Sequence, residues 1–276
     1  PRLSGVLVFG DRGTGKSIAV RALAALLPPI TVVRGCPINS ETPEAVPAWA
    51  SVAEAELKSR PTPVVDLPLG VTEDRVTGAL DIERALVHGE KTFQPGLLAQ
   101  ANRGYLYIDE VNLLEDHIVD LLLDVAQSGE NLVERDGLSI RHPARFVLVG
   151  SGNPEEGELR PQLLDRFALS VDITSPTDIE ERIEVIRRRD AFETNPDAFL
   201  ASWEPDQAWI RDRLLTARRA LDTIEVPEAA LRDATELFMT HCLDGLRVYL
   251  PLIRASPCLA AYLAPSTARP CSLHST

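Results

Sequence analysis

Gly10-Asp11-Arg12-Gly13-Thr14-Gly15-Lys16-Ser17 is the stretch on which the fold turns. It fits the spacing G-x-x-x-x-G-K-[ST], and its neighbours are the ones that pattern requires. Before it, Val6-Leu7-Val8-Phe9 is a continuous apolar run, as a strand buried on both faces of a parallel sheet should be. After it, Ile18 to Leu27 reads as an alanine- and leucine-rich helix, stopped by Pro28-Pro29. Glycines let main-chain N–H groups wrap around phosphates, and the helix that starts near Lys16 adds the partial positive charge of its N-terminus. The pattern predicts a phosphate loop formed by Gly10, Asp11, Arg12, Gly13, Thr14, Gly15, Lys16 and Ser17. Lys16 would reach the β- and γ-phosphates of ATP, and Ser17 would ligate the accompanying Mg2+. With Gly at about 7% of residues, such a loop arises by accident in roughly one chain in a hundred of this length. The flanking strand and helix make coincidence rarer.

Working outward, four more apolar runs read as strands: Val64-Val65-Asp66-Leu67, Tyr105-Leu106-Tyr107-Ile108, Phe146-Val147-Leu148-Val149-Gly150 and Leu169 to Ile173. Helical stretches separate them. The expected fold is therefore α/β, a P-loop core with a five-stranded parallel sheet and right-handed crossovers. Residues 70–104 and 131–145 exceed what a crossover needs, and the Asp136-Gly137 turn suits a tight hairpin. Both segments are predicted to be hairpin insertions. From Pro176 the pattern turns helical, with Ile179, Ile183 and Ile186 on one face and Arg187-Arg188-Arg189 as a solvated helix end. Pro227 starts another helix, with Leu231, Thr235, Phe238 and Cys242 on one stripe. This predicts an ATPase core over 1–189, a connection over 190–208, and a partial helical lid with an irregular tail over 209–276.

Three further groups of residues fall where a phosphate loop needs help. Asp109 and Glu110 end the third strand, at the carboxyl edge of the sheet where ligands bind. Asp109 is expected to hold Mg2+, directly or through water, and Glu110 to polarise the attacking water. Asn153 lies just past the fourth strand, in Gly150-Ser151-Gly152-Asn153-Pro154, where an uncharged amide can hydrogen-bond the γ-phosphate and the water. Arg166, in Leu164-Asp165-Arg166-Phe167, is poorly placed for its own nucleotide but can project into a neighbour's site and stabilise transition-state charge. Phe167 would fix that segment in the core, and Arg160 is a weaker second candidate.

The bulk numbers exclude other classes. The chain has 276 residues, with 41 acidic against 28 basic residues for a net charge of -13. That balance argues against nucleic acid as the principal ligand, because duplex binding draws mainly on Lys and Arg at phosphates. No stretch approaches the ~18 consecutive apolar residues of a membrane span. Cys36, Cys242, Cys258 and Cys271 form no CxxC pair, which favours free thiols in a reducing compartment.

Phosphate loop, Asp-Glu, Asn153 and Leu-Asp-Arg-Phe in this order resemble the AAA+ ATPases, and the two insertions resemble the clade with a helix-2 insertion and a hairpin before the sensor asparagine. The resemblance is tightest to the ATPase (I) subunit family of the magnesium chelatases. It rests on Gly10–Ser17, Val65-Asp66-Leu67-Pro68-Leu69-Gly70-Val71-Thr72-Glu73-Asp74-Arg75-Val76, Tyr107–Asp120 and Ser151–Phe167, and runs from about Arg2 to Arg247. It implies an ATP-hydrolysing motor that helps insert Mg2+ into protoporphyrin IX on the way to chlorophyll or bacteriochlorophyll. It also implies a homo-oligomeric ring, usually a hexamer, acting with a D subunit and with an H subunit that holds the porphyrin. Asp244-Gly245-Leu246-Arg247 resembles the segment of the second sensor arginine, which assigns that role to Arg247. Two departures stand out. Family members begin with some 30–40 further residues, and Val248 to Thr276 reads as proline-rich and irregular, as a fragment would. The resemblance further implies a bacterial cytoplasm, or a plastid stroma in a phototrophic eukaryote. Other AAA+ remodelling ATPases, MoxR-like or cobalt-chelatase motors, share the ATP site.

Overall fold

The computed structural model describes residues 5–50, 52, 56–89, 91–135, 137–153, 155, 164, 167–240 and 246–264, apart from the side chains of Ala85, Leu138 and residues 246–249. The chain divides into two units, one up to Thr174 and one from Ser175 onward.

In the first unit, β1 (Val6–Gly10) leads through the phosphate loop into α1 (Lys16–Ala25), followed by β2 (Ile30–Val33), β3 (Leu57–Arg60) and β4 (Val64–Leu67). The chain continues through α2 (Glu73–Thr77), β5 (Gly78–Leu80), α3 (Ile82–His88), β6 (Phe93–Pro95) and α4 (Leu97–Ala101). Then come β7 (Tyr105–Ile108), α5 (Asp116–Ser128), β8 (Glu130–Arg135), β9 (Leu138–Pro143), β10 (Val147–Gly152) and β11 (Leu169–Ile173). The five apolar runs picked out in the sequence form one parallel sheet in the order β11-β1-β10-β7-β4. β1 lies second from one edge, beside β11, yet its crossover leads to β4 at the far edge. That reversal opens a crevice at the carboxyl ends of β1, β10 and β7, where ligands bind in sheets of this kind.

The central strands are apolar because they are covered on both faces. Leu7, Leu106, Ile108 and Leu148 are fully buried, and the core cluster runs from them into α5. α5 buries Ile118, Val119, Leu122, Leu123, Val125 and Ala126, a stripe at helical spacing. Its end is set by Gly129, at φ 75, whose N–H donates to the Val125 carbonyl at 2.8 Å. That is the left-handed cap which glycine adopts without a Cβ penalty. Phe167 is buried against Gly5 and Gly150, where a Cβ would press on its ring, so it packs into the core as expected. Both insertions contain antiparallel hairpins, β5 with β6 around α3, and β8 with β9. A third antiparallel pair, β2 with β3, has no counterpart in the sequence reading.

The second unit is helical: α6 (Ile179–Thr194), α7 (Pro196–Ala220), α8 (Glu228–Thr240) and α9 (Leu246–Leu263). Two expectations are corrected here. Residues 190–208 are not an open connection but the end of α6 and the start of α7. Asn195 accepts from the Ala198 N–H at 3.1 Å and Pro196 takes the first helical position, so Asn-Pro makes a tight corner rather than a linker. Phe192 packs edge-on against Phe199 at 5.8 Å, and Arg188 lies over Trp203 at 4.9 Å, which ties α6 to α7 and so to the second unit. The other correction concerns residues 248–263, which are helical despite Pro251 and Pro257. α9 packs along α7, where Arg213 donates to the Tyr262 carbonyl at 2.6 Å and stacks its guanidinium over the Tyr262 ring at 4.4 Å. Packing of this kind overrides local propensity, because most helical stability in proteins comes from tertiary burial. Among the described residues no helix is long and apolar enough to cross a membrane.

Candidate functional site

A cleft of about 330 Å3 lies at the carboxyl ends of β1, β7 and β10. It is lined by Arg12, Gly13 and Gly15 to Ile18 of the phosphate loop and its helix, by Asp109 and Glu110, and by Ser151, Gly152 and Asn153. Its volume is in the range of small-molecule sites. The strand register explains the convergence. Val8 pairs with Ser151 and Val149 with Tyr107, so the residues just beyond three adjacent strands share one edge.

The loop owes its shape to glycine. Gly15 caps α1 at φ 79 and ψ 14, a left-handed conformation that any side chain would strain. At Gly10 a Cβ would run into the Ile173 carbonyl oxygen of β11, so only glycine lets the two strands close up there. Thr14 donates to the Asp11 carbonyl at 2.8 Å, which closes the turn. Lys16 folds back over the loop, donating to the Asp11 carbonyl at 2.7 Å and to the Gly10 carbonyl. Its ammonium thus already rests on oxygens at the mouth of the cleft, as it would on those of an anionic ligand.

Asp109 is the electrostatic centre. Its Oδ1 accepts from Ser17 at 3.1 Å and from Ser151 at 2.8 Å, and the Tyr107 hydroxyl lies 2.8 Å away. Burial by itself would raise the Asp109 pKa. The hydrogen bonds from Ser151, Tyr107 and Ser17, with the nearby charge of Arg21, outweigh it and hold the carboxyl below the usual range. Arg21 is itself held by Asp66, at 3.2 Å, and lies over the Tyr107 ring at 5.6 Å. The carboxylate therefore stays ionised and is ready to face a cation or its waters.

Glu110 follows in a left-handed conformation, φ 56 and ψ 62, unusual for a residue with a Cβ. Its N–H donates to the Ser151 hydroxyl at 3.1 Å. Asn153 is 3% exposed. Its Oδ1 accepts from the Glu155 N–H at 3.1 Å, while its buried Nδ2 has no partner among the described residues. A buried, unpaired amide donor on the lining of a cleft is costly unless a ligand or water completes it.

The structure thus gathers Lys16, Ser17, Asp109, Glu110 and Asn153, together with the loop from Gly10 to Ser17, around one cleft. Arg166 and Arg160 lie outside the described residues, as do the surroundings of the Arg247 side chain. Tyr107, Ser151 and Arg21 escaped the sequence reading. Tyr107 precedes Asp109 by two and Ser151 precedes Asn153 by two, and the period of a strand puts such residues on one face. That spacing is the signal that could have found them.

Sheet order, phosphate loop and hairpin insertions together define a P-loop domain of the AAA+ class. Residues 4–160 match the family described as "Magnesium chelatase, subunit ChlI", and the chain belongs to that family. It is 68% identical over 262 residues to the magnesium-chelatase 38 kDa subunit of Cereibacter sphaeroides, spanning 95% of this chain and 78% of that one. Its identity to the subunit of the same name from Rhodobacter capsulatus is 67%, covering 95% and 75% of the two chains. Among solved structures, a chain of the complex between subunits BchI and BchD of magnesium chelatase superposes with a TM-score of 0.62 at 66% identity. That superposition covers 95% of this chain and 81% of that one.

Proposed function

We propose that this chain is the ATP-hydrolysing motor subunit of magnesium chelatase, coupling MgATP hydrolysis to insertion of Mg2+ into protoporphyrin IX. The observation that carries the reading is a cleft where a glycine-shaped loop and Lys16 meet Ser17, an ionised Asp109 and the Asn153 amide, unpaired among the described residues, in a member of this family. These groups fit a triphosphate with its cation. The loop N–H groups and the start of α1 suit phosphate oxygens, and the three hydroxyls on Asp109 keep an anionic oxygen donor at the cleft wall.

In this reading Lys16 leaves its two carbonyls to neutralise the terminal phosphates. Ser17 and Asp109, now hydrogen-bonded to each other, would hold the metal of MgATP, Asp109 directly or through its waters. Glu110 orients and polarises the attacking water, and Asn153 supplies its free N–H to the terminal phosphate. Bound Mg2+ supplies charge neutralisation across the phosphates. Arg166 and Arg247 are assigned to a neighbouring subunit's nucleotide, which makes the working form a ring, a hexamer by analogy with the family. The neighbour solved as a BchI–BchD complex supports a D-type partner, and an H-type subunit would hold the porphyrin.

Reconstitution decides the matter. The chain is mixed with D and H subunits from a relative, protoporphyrin IX, Mg2+ and ATP, and Mg-porphyrin fluorescence is followed. The expected result is ATP-dependent chelation that disappears with Lys16→Ala. Robust ATP turnover without chelation with any D and H pair would point to a different remodelling ATPase.

A further inference from the structure

Ser151 reaches both acidic residues of the cleft through one hydroxyl group. It is 1% exposed, donates to Asp109 Oδ1 at 2.8 Å and accepts from the Glu110 N–H at 3.1 Å. The Tyr107 hydroxyl sits 3.0 Å from Ser151 Oγ and 2.8 Å from Asp109 Oδ1, so the three groups close a triangle. A hydroxyl has one proton to give and two lone pairs to accept with. Ser151 gives its proton to the carboxylate and accepts from the main chain of Glu110, while Tyr107 has one proton to share between the two oxygens.

This arrangement does more than satisfy buried polar atoms. The third hydroxyl on Oδ1 belongs to Ser17, which in the MgATP reading would serve the metal instead. Tyr107 and Ser151 then remain to fix the carboxylate. Glu110 is held in a left-handed conformation that persists only where the surroundings impose it. The hydrogen bond from its N–H to Ser151 is one such constraint. Ser151 also lies near the end of β10, which leads directly into Asn153. A rotation of Asp109, a shift of the Glu110 backbone and a slide of β10 therefore all disturb the same hydroxyl.

We propose that Ser151 and Tyr107 are a positioning pair that sets the Asp109 carboxylate and the Glu110 backbone as one unit, so that holding the metal and orienting the water are coupled. The proposal rests on the MgATP reading. Partners that orient a metal-holding carboxylate are worth about tenfold to a hundredfold in metal affinity or activity.

The test uses the full chain as Ser151→Ala, Ser151→Thr and Tyr107→Phe. Binding of a fluorescent ATP analogue is titrated with Mg2+ and, separately, in EDTA, and ATP turnover is followed against Mg2+ concentration. For Ser151→Ala the expected result is a rise of about tenfold or more in the Mg2+ needed for half-maximal response, with kcat falling more than KM for ATP changes. Analogue binding in EDTA stays at the wild-type level, Ser151→Thr restores most of the loss, and Tyr107→Phe shifts the Mg2+ requirement the same way. An unchanged Mg2+ requirement in Ser151→Ala and Tyr107→Phe overturns the pair, as does an equal loss of analogue binding with and without Mg2+. Should circular dichroism show Ser151→Ala to be unfolded, Tyr107→Phe, which keeps the ring, decides by the same criterion. A wild-type chain that neither binds the analogue nor turns over ATP overturns the MgATP reading itself, whereas normal wild-type behaviour with insensitive variants overturns only the pair.

Discussion

At the scale of single residues, the proposed chemistry divides between a group that binds, Lys16, and a group that acts on the water, Glu110. Lys16 is the cation of the phosphate loop, so Lys16→Ala is expected to abolish analogue binding and turnover together. Glu110→Gln keeps the side chain's shape and removes only its basicity. It is expected to retain MgATP binding while turnover falls by about two orders of magnitude or more, measured as phosphate release. Full turnover in Glu110→Gln would remove that residue from the mechanism. A second titratable residue matters for stability. His142 is 1% exposed, its Nδ1 lies 2.9 Å from the Pro143 carbonyl, and Asn131 Nδ2 lies 3.0 Å from its Nε2. The carbonyl requires the proton on Nδ1, which leaves Nε2 to accept from Asn131, so the ring is neutral. Burial lowers its pKa, outweighing the carbonyl, which raises it. The unfolded chain therefore takes up this proton at a higher pH than the folded one. Stability from this group is intact above about pH 6.5 and declines below it, by at most ~1.4 kcal/mol per pH unit. Replacing it by glutamine (His142→Gln) keeps an acceptor for Asn131 and removes the proton. Urea midpoints between about pH 7.5 and 5.5 should fall less steeply in that variant than in the wild type. Identical slopes would clear His142 of the effect.

At the scale of elements, termini are set by a few local devices and positions by burial. α5 is a clear case, since its apolar stripe faces the core and Gly129 ends it in a left-handed turn. Gly129→Ala places a Cβ in that conformation and should lower unfolding free energy by about 1 kcal/mol with the site unchanged. Denaturant unfolding measures the loss, and ATP turnover at low temperature checks that the site survives. α9 shows the opposite balance. Pro251 and Pro257 argue locally against a helix, yet α7 supplies a face against which the segment packs. The corner at Asn195-Pro196 is intermediate. Its cap and its proline were visible in the sequence, but whether they made a linker or a corner depended on the aromatic contacts of Phe192 and Phe199.

At the scale of the whole molecule, the proposed function makes the site half of a larger one. Lys16 and Arg166 are assigned to opposite sides of a subunit interface, and this makes a mixing experiment decisive. Lys16→Ala and Arg166→Ala chains, each expected to be inactive alone, are combined in equal amounts. A fraction of interfaces then joins an intact phosphate loop to an intact arginine, and turnover should reappear as the two are mixed. Its persistent absence, with mixed assemblies confirmed by size, would place Arg166 in its own subunit's site.

By itself the sequence determined the five sheet strands, the glycine-rich loop after the first of them, the placing of Asp109, Glu110 and Asn153 at the same edge of the sheet, and both hairpin insertions. Each of these is written in local terms, as apolar runs of strand length, obligatory glycines, and acids at strand ends. Only the tertiary structure decided the pairing of β2 with β3, the helicity of 248–263, the corner at 195–196 and the roles open to Tyr107 and Ser151. Those outcomes depend on side chains far apart in the chain. Tyr107 and Ser151 are 44 residues apart and 3.0 Å from each other, a proximity set by parallel pairing of β7 with β10.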